Sequence, residues 1–126
     1  MKIRTSGHGG FTLVEIMIVV ALIGLLATIA TPTWVRARTS SQTNTCINNL
    51  RQIEGAKQQW ALETKESTNA QPAYSDISGY LKHAVSCPSA GTDTSFGGSY
   101  EINDVSTPAN CKILPITHVI PTEPSS

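Results

Sequence analysis

A chain of 126 residues has room for one modest domain, and nine basic against nine acidic residues leave it formally uncharged. That balance excludes a general binder of nucleic acid or other polyanions, which needs a basic excess. The three cysteines are an odd set; where disulfides persist, outside the cytoplasm, pairing two leaves one thiol over or links two chains.

The N-terminal residues 1–10 are short and polar, with Lys2 and Arg4 as their full charges. Residues 11–35 are then almost wholly apolar, long enough at roughly 1.5 Å per residue to cross a ~30 Å hydrocarbon layer. Lys2 and Arg4 favour an N-terminus held in the cytoplasm, with the rest of the chain outside. Glu15 is the ionisable side chain of this stretch, and it weighs against three plain readings. A signal peptide cut after Ala30, with Thr28 and Ala30 at the small-residue positions, has no use for a carboxylate at the start of its apolar region. In a plain anchor the same carboxylate costs roughly 2.5–3.5 kcal/mol even on the mildest scale. A buried core helix fails differently, because so small a chain cannot cover an apolar surface all round. Cutting between Gly10 and Phe11 makes Glu15 useful. It creates a cationic α-amino group four residues before the carboxylate, and a neighbouring helix can bring its own amine against it. Such a buried pair acts as a register device more than as a source of net stability.

Gly9, Gly10, Phe11 and Glu15, followed by the apolar run with Pro32, resemble the cleavage and methylation segment of type IV pilins and type II secretion pseudopilins. The resemblance covers about 25 residues. It implies cleavage after Gly10 by a prepilin peptidase, N-methylation of Phe11 by the same class of enzyme, and contact of Glu15 with the terminal amine of an adjacent subunit. It also implies that the helix unwinds locally at Gly24 and Pro32 on assembly. Gly is a poor helix former, and Pro lacks the backbone donor and clashes with the preceding turn.

Beyond Pro32, Trp34 marks a membrane interface and Arg36 and Arg38 follow in the aqueous zone. Residues 39–45 are weak for helix, since Ser, Thr and Asn compete for backbone hydrogen bonds, and this stretch is expected to fray or to be held only by neighbouring subunits. Residues 46–66 are better helix, with Ile47, Leu50, Ile53, Ala56 or Lys57, Trp60 and Ala61 recurring as one stripe. Trp60 reads as a core anchor, and Glu54, Lys57, Glu63 and Lys65 as a solvated face. One helix over residues 11–66 extends about 84 Å, more than a domain of this size encloses. The segment from Cys46 to Glu63 also resembles a subset of bacterial pilin-like proteins with this helix, later cysteines and a short head.

Few large apolar residues remain for that head, so it needs disulfides or partner subunits. Pro72 ends the helical pattern, and residues 75–83 suit a short helix capped by Ser75 or Asp76. Residues 99–103 and 111–114 read as two strands joined by a loop containing Pro108, approached through a flexible stretch with Gly91, Gly97 and Gly98. Pro115, Pro121 and Pro124 make the tail irregular. The fold expected is α+β: a long N-terminal helix packed on a small C-terminal antiparallel sheet, the pilin-like arrangement. Its parts are a leader (1–10), a transmembrane or filament-core half (11–35), an amphipathic half (36–66) and a β-rich head (67–126).

Cys87 and Cys111 bracket most of the hairpin, and a bond between them contributes up to about 3 kcal/mol in the chain-entropy model. It also resembles the disulfide-bounded C-terminal loop of many pilins. This pairing is preferred on loop-closure grounds, with Cys46–Cys87 and Cys46–Cys111 left open. His83, Cys87, Cys111 and His118 lack the paired short spacing of a zinc motif, so no metal or other cofactor is expected. Asp93, Glu101 and Asp104 lack a calcium-binding loop pattern and read as turn residues. No nucleophile elbow, phosphate loop or metalloprotease helix is present, which points away from an enzyme.

The expectation is therefore a structural subunit. It sits in the inner membrane as a single-pass precursor in lipid, is processed, and passes through an inner-membrane assembly platform into a homo-oligomeric filament at the cell surface. A subunit contact that does not close into a ring produces such a filament. The alternative within the same resemblance is a type II secretion pseudopilin in a short periplasmic filament. The alternative of another class is a monomeric membrane-anchored binding module.

Overall fold

The computed structural model describes Gly7 and residues 9–122. The leader charges Lys2 and Arg4, and Pro124 of the tail, lie outside the described residues. The chain divides into two compact units, Met1–Ala37 and Arg38–Ser126.

Helix α1 (Leu13–Thr64) begins in the first unit. Thr12 starts it: its hydroxyl accepts the Glu15 backbone N–H at 3.2 Å, and its carbonyl accepts the Ile16 N–H at 3.3 Å. Thr-x-x-Glu is the sequence signature of a capping box, and an acidic residue in the first turn also complements the helix dipole. The helix runs through Gly24 and Pro32. Pro32 has no N–H for the Thr28 carbonyl. Hydroxyls of Thr28 and Thr31 donate to the Leu25 and Ala27 carbonyls one turn back, at 2.7 and 3.2 Å. The helix is long and apolar enough to cross a membrane, and none of its most apolar window is buried within the chain.

In the second unit the helix does not fray at residues 39–45 as expected; it is continuous. The reason lies in the hydroxyls: Thr43 and Thr45 donate to the carbonyls of Thr39 and Ser41, four residues back, at 3.1 and 2.9 Å. They join the helical ladder instead of competing with it. Cys46, Asn49, Leu50, Ile53, Ala56 and Lys57 form the buried stripe. They pack with Ile77, Val85, Tyr100, Ala109 and Cys111, and Trp60 is partly buried against the same core. Full burial of a side chain such as Leu50 or Ile53 contributes about 1.5–3 kcal/mol.

Lys57 departs from the solvated-face reading, being 0 % exposed. Its ammonium donates to the carbonyls of Ile102, Asp104 and Thr107 at 3.0, 2.9 and 2.7 Å and pairs with Glu54 at 2.8 Å. Glu54 in turn accepts the Ala109 N–H. A buried ammonium is tolerable only with such partners, and here they tie one loop to the helix. At the C-terminus of α1, Lys65 adopts the left-handed conformation (φ 56°) and Glu66 N–H reaches the Ala61 carbonyl at 3.1 Å. This is a Schellman-type stop made without glycine.

The short helix α2 (Tyr74–Ile77) continues into a 3₁₀ turn (Ser78–Tyr80). It starts earlier than expected because Asp76 reaches back to accept the Ala73 N–H at 2.9 Å. Gly97 and Gly98, expected in a flexible approach, lie in a helical turn, α3 (Phe96–Ser99). Ser95 caps that turn by accepting the Gly98 N–H at 3.1 Å. Phe96 stacks on Tyr74 with ring centres 4.3 Å apart.

Strands β1 (Tyr100–Glu101) and β2 (Asn110–Cys111) pair antiparallel, Tyr100 opposite Cys111 and Glu101 opposite Asn110. The α+β class holds, with a shorter sheet than the alternating residues imply. Asn103 ends β1: it turns left-handed (φ 58°), and its side chain donates to the Pro108 carbonyl and to Asn110 Oδ1, both at 2.8 Å.

Candidate functional site

Among the described residues, candidate functional side chains are found in each unit. In the first, Gly9, Gly10 and Phe11 are exposed and non-helical, with Phe11 80 % exposed and α1 beginning two residues later. The Gly10–Phe11 peptide bond thus lies in exposed, non-helical chain. Added Cβ atoms at Gly9 and Gly10 meet nothing within 4 Å, so glycine is not required there by packing inside the chain. Glu15 lies one helical turn beyond Phe11, exposed among apolar neighbours. Gly24 and Pro32 both lie on α1, likewise exposed.

In the second unit, four side chains distant in sequence converge. Cys46 comes from the buried stripe of α1 and Cys111 from β2, opposite Tyr100. Cys87 sits in a turn closed by the Ala90 N–H on its carbonyl at 3.0 Å, and His118 in a turn closed by its own N–H on the Leu114 carbonyl at 2.9 Å. Their ligand atoms all lie within 4.8 Å of one another. Cys87 Sγ is 3.7 Å from Cys111 Sγ, and His118 Nδ1 is 3.6 and 3.8 Å from the two sulfurs. All four residues are at most 3 % exposed, and the three cysteines are free thiols.

An outer layer of polar groups surrounds them. Tyr100 Oη donates to Cys46 Sγ at 3.5 Å and accepts from Asn49 Nδ2 at 3.0 Å. Asn49 also donates to the Ser86 carbonyl. The Ser89 backbone N–H reaches the Cys87 sulfur. His118 Nε2 lies 3.2 Å from Thr43 Oγ1. Burial pushes the Cys46 thiol up to about 12, raises Cys87, raises the Tyr100 hydroxyl and lowers His118. Burial thus favours the uncharged forms of Cys46, Cys87 and His118.

Sequence spacing named Cys87, Cys111 and His118 but set a metal aside, paired His83 with them and left Cys46 without a role. His83 is exposed and outside the cluster; Cys46 is inside it. The helical stripe that buries Cys46 one turn before Leu50 was the available signal. Asp93 and Asp104 are turn residues: Asp93 accepts from the Ser95 N–H and hydroxyl, Asp104 from the Ser106 hydroxyl and Thr107 N–H. Hydrogen bonds from the Ser95 hydroxyl and N–H hold the Asp93 carboxyl below its usual range, and those from the Thr107 and Ser106 side chains do the same for Asp104.

Residues 5–31 match the prokaryotic N-terminal methylation motif. The chain is 41 % identical over 54 residues to the type IV major pilin protein of Myxococcus xanthus, covering 43 % of this chain and 24 % of that protein. It is 40 % identical over 57 residues to a fimbrial protein of Pseudomonas aeruginosa, covering 45 % of this chain and 37 % of that one. The match to a type IV major fimbrial protein of Dichelobacter nodosus is 41 % over 58 residues, 46 % of this chain and 37 % of the relative. The chain thus spans between about a quarter and somewhat over a third of the length of these relatives. No solved structure matches. The motif and these matches make part of the chain similar to type IV pilins and fimbrial proteins.

Proposed function

We propose that this chain belongs to the type IV pilin family and is the structural subunit of a type IV pilus-like filament, assembling through residues 11–35. The observation that carries the reading is the methylation motif over residues 5–31, which overlaps a helix whose large apolar side chains are exposed from Leu13 to Val35. Lipid covers that surface before assembly, and neighbouring copies of the same helix cover it afterwards.

In this reading a prepilin peptidase cuts the exposed Gly10–Phe11 bond and methylates the new amine of Phe11. The amine of one subunit then meets Glu15 of its neighbour, so two groups costly to bury singly satisfy each other and set the axial register. Gly24 and Pro32 are the positions at which α1 yields on assembly, since one lacks a side chain and the other lacks a backbone donor. The inner membrane holds the precursor with its N-terminus in the cytoplasm, and an assembly platform there draws the mature subunit into the filament. The roles are mechanical, and none calls for catalysis by this chain.

Gly10→Val tests the processing step. It is expected to leave the full-length precursor in the membrane fraction and to remove filaments from the cell surface. Normal filaments built from the Gly10→Val chain would refute cleavage at this bond.

A further inference from the structure

Cys46, Cys87, Cys111 and His118 play no part in assembly as proposed above, yet their buried ligand atoms converge within 4.8 Å. We propose that they form a tetrahedral Cys₃His zinc centre that cross-links the head to the α1 residues of the same unit.

The distances have the right scale. With Zn–S near ~2.3 Å and Zn–N near ~2.0–2.1 Å, the edges of a zinc tetrahedron are about 3.8 Å between two sulfurs and about 3.6 Å between sulfur and nitrogen. The edges observed are 3.7 Å for Cys87–Cys111 and 3.6 and 3.8 Å for His118 Nδ1 to the same sulfurs. The Cys46 sulfur completes the group within 4.8 Å.

The imidazole is also presented in the ligating form. Thr43 donates its hydroxyl proton to the Thr39 carbonyl, so its oxygen is left to accept from His118 Nε2–H. That bond fixes the neutral tautomer whose lone pair is on Nδ1, the atom facing the sulfurs. A ligating histidine anchored through its other nitrogen is the usual outer-layer arrangement of a metal site.

Charge balances as well. On binding, the three thiols release three protons to solvent and four dative bonds form to the ion, leaving a centre of net charge −1. The Tyr100 hydroxyl at Cys46 and the Ser89 N–H at Cys87 donate toward that charge. Thiolate and imidazole donors in a tetrahedron suit zinc, whereas copper(II) prefers tetragonal sites. Four protein ligands leave no open position, so the centre is structural. It uses all four buried groups, whereas one disulfide leaves a buried thiol and an imidazole over. A closed metal centre supplies the staple that a small head with few apolar residues needs.

The test uses the full chain purified in detergent without chelator. One zinc per chain is expected by elemental analysis, with three reduced cysteines that become alkylatable once the metal is stripped. Cobalt added to the stripped chain is expected to give the intense visible bands of a tetrahedral thiolate complex. Thr43→Val, which leaves all four ligands in place, is expected to weaken zinc affinity about 10–100-fold with the helical circular dichroism unchanged. His118→Cys is expected to keep the centre as Cys₄. If cysteine variants fail to fold, the cobalt spectrum of the wild-type chain still decides. A zinc-free chain that gives no tetrahedral cobalt spectrum would overturn the proposal, as would non-reducing peptide mapping that finds Cys87 bonded to Cys111 or either bonded to Cys46.

Discussion

From Phe11 to Val35 no large apolar side chain is less than 46 % exposed, whereas between Cys46 and Lys57 six residues of α1 are buried in a core made by the same chain. From Leu13 on both stretches are helix, yet only the second buries its apolar stripe within the chain. The first has apolar side chains all round, more than a chain of this size can wrap, and in the proposed reading lipid or other copies cover it. The second confines its apolar residues to one stripe and meets a head that fits it. The contrast separates assembly from stability, and substitutions in the two stretches should therefore fail in different assays.

The largest effect expected is in the first stretch. Glu15→Val should remove surface filaments while leaving the head's thermal transition within about 0.5 kcal/mol of wild type, measured by electron microscopy beside calorimetry. Normal filament numbers would refute a role for Glu15 in assembly. In the second stretch, Lys57→Met strands three carbonyls and Glu54. It should cost about 3–5 kcal/mol in denaturant unfolding, with far less effect if the ammonium were solvated. Lys65→Gly relieves a left-handed residue at the helix stop and should stabilise by about 1–2 kcal/mol, visible as a higher midpoint. Ile53→Val removes one methylene-sized group from the core and should cost about 0.5–1.5 kcal/mol. A comparable change in the first stretch, Ile23→Val, should leave head unfolding unmoved.

The N-terminal segment was legible in the sequence because its signal is local: Gly10, Phe11 and Glu15 lie within six residues, and a carboxylate in an apolar run is conspicuous at once. The stripe through Leu50, Ile53 and Trp60 was legible because helical periodicity repeats. The head was less so. Lys57 looks like any solvated lysine until a loop 45 residues away supplies its acceptors. Asn103 shortens the expected strand through side-chain bonds that residue alternation does not reveal. The thiol and imidazole cluster draws on α1, two loops and β2, so no short spacing announces it. Tertiary convergence, not local pattern, makes that site.

The most direct measurement is the intact mass and N-terminal sequence of the chain recovered from sheared surface filaments. The account predicts a mature subunit beginning at N-methylated Phe11. Filament-borne chain that retains Met1, or that begins at Thr31 as after an ordinary signal-peptide cut, would contradict it.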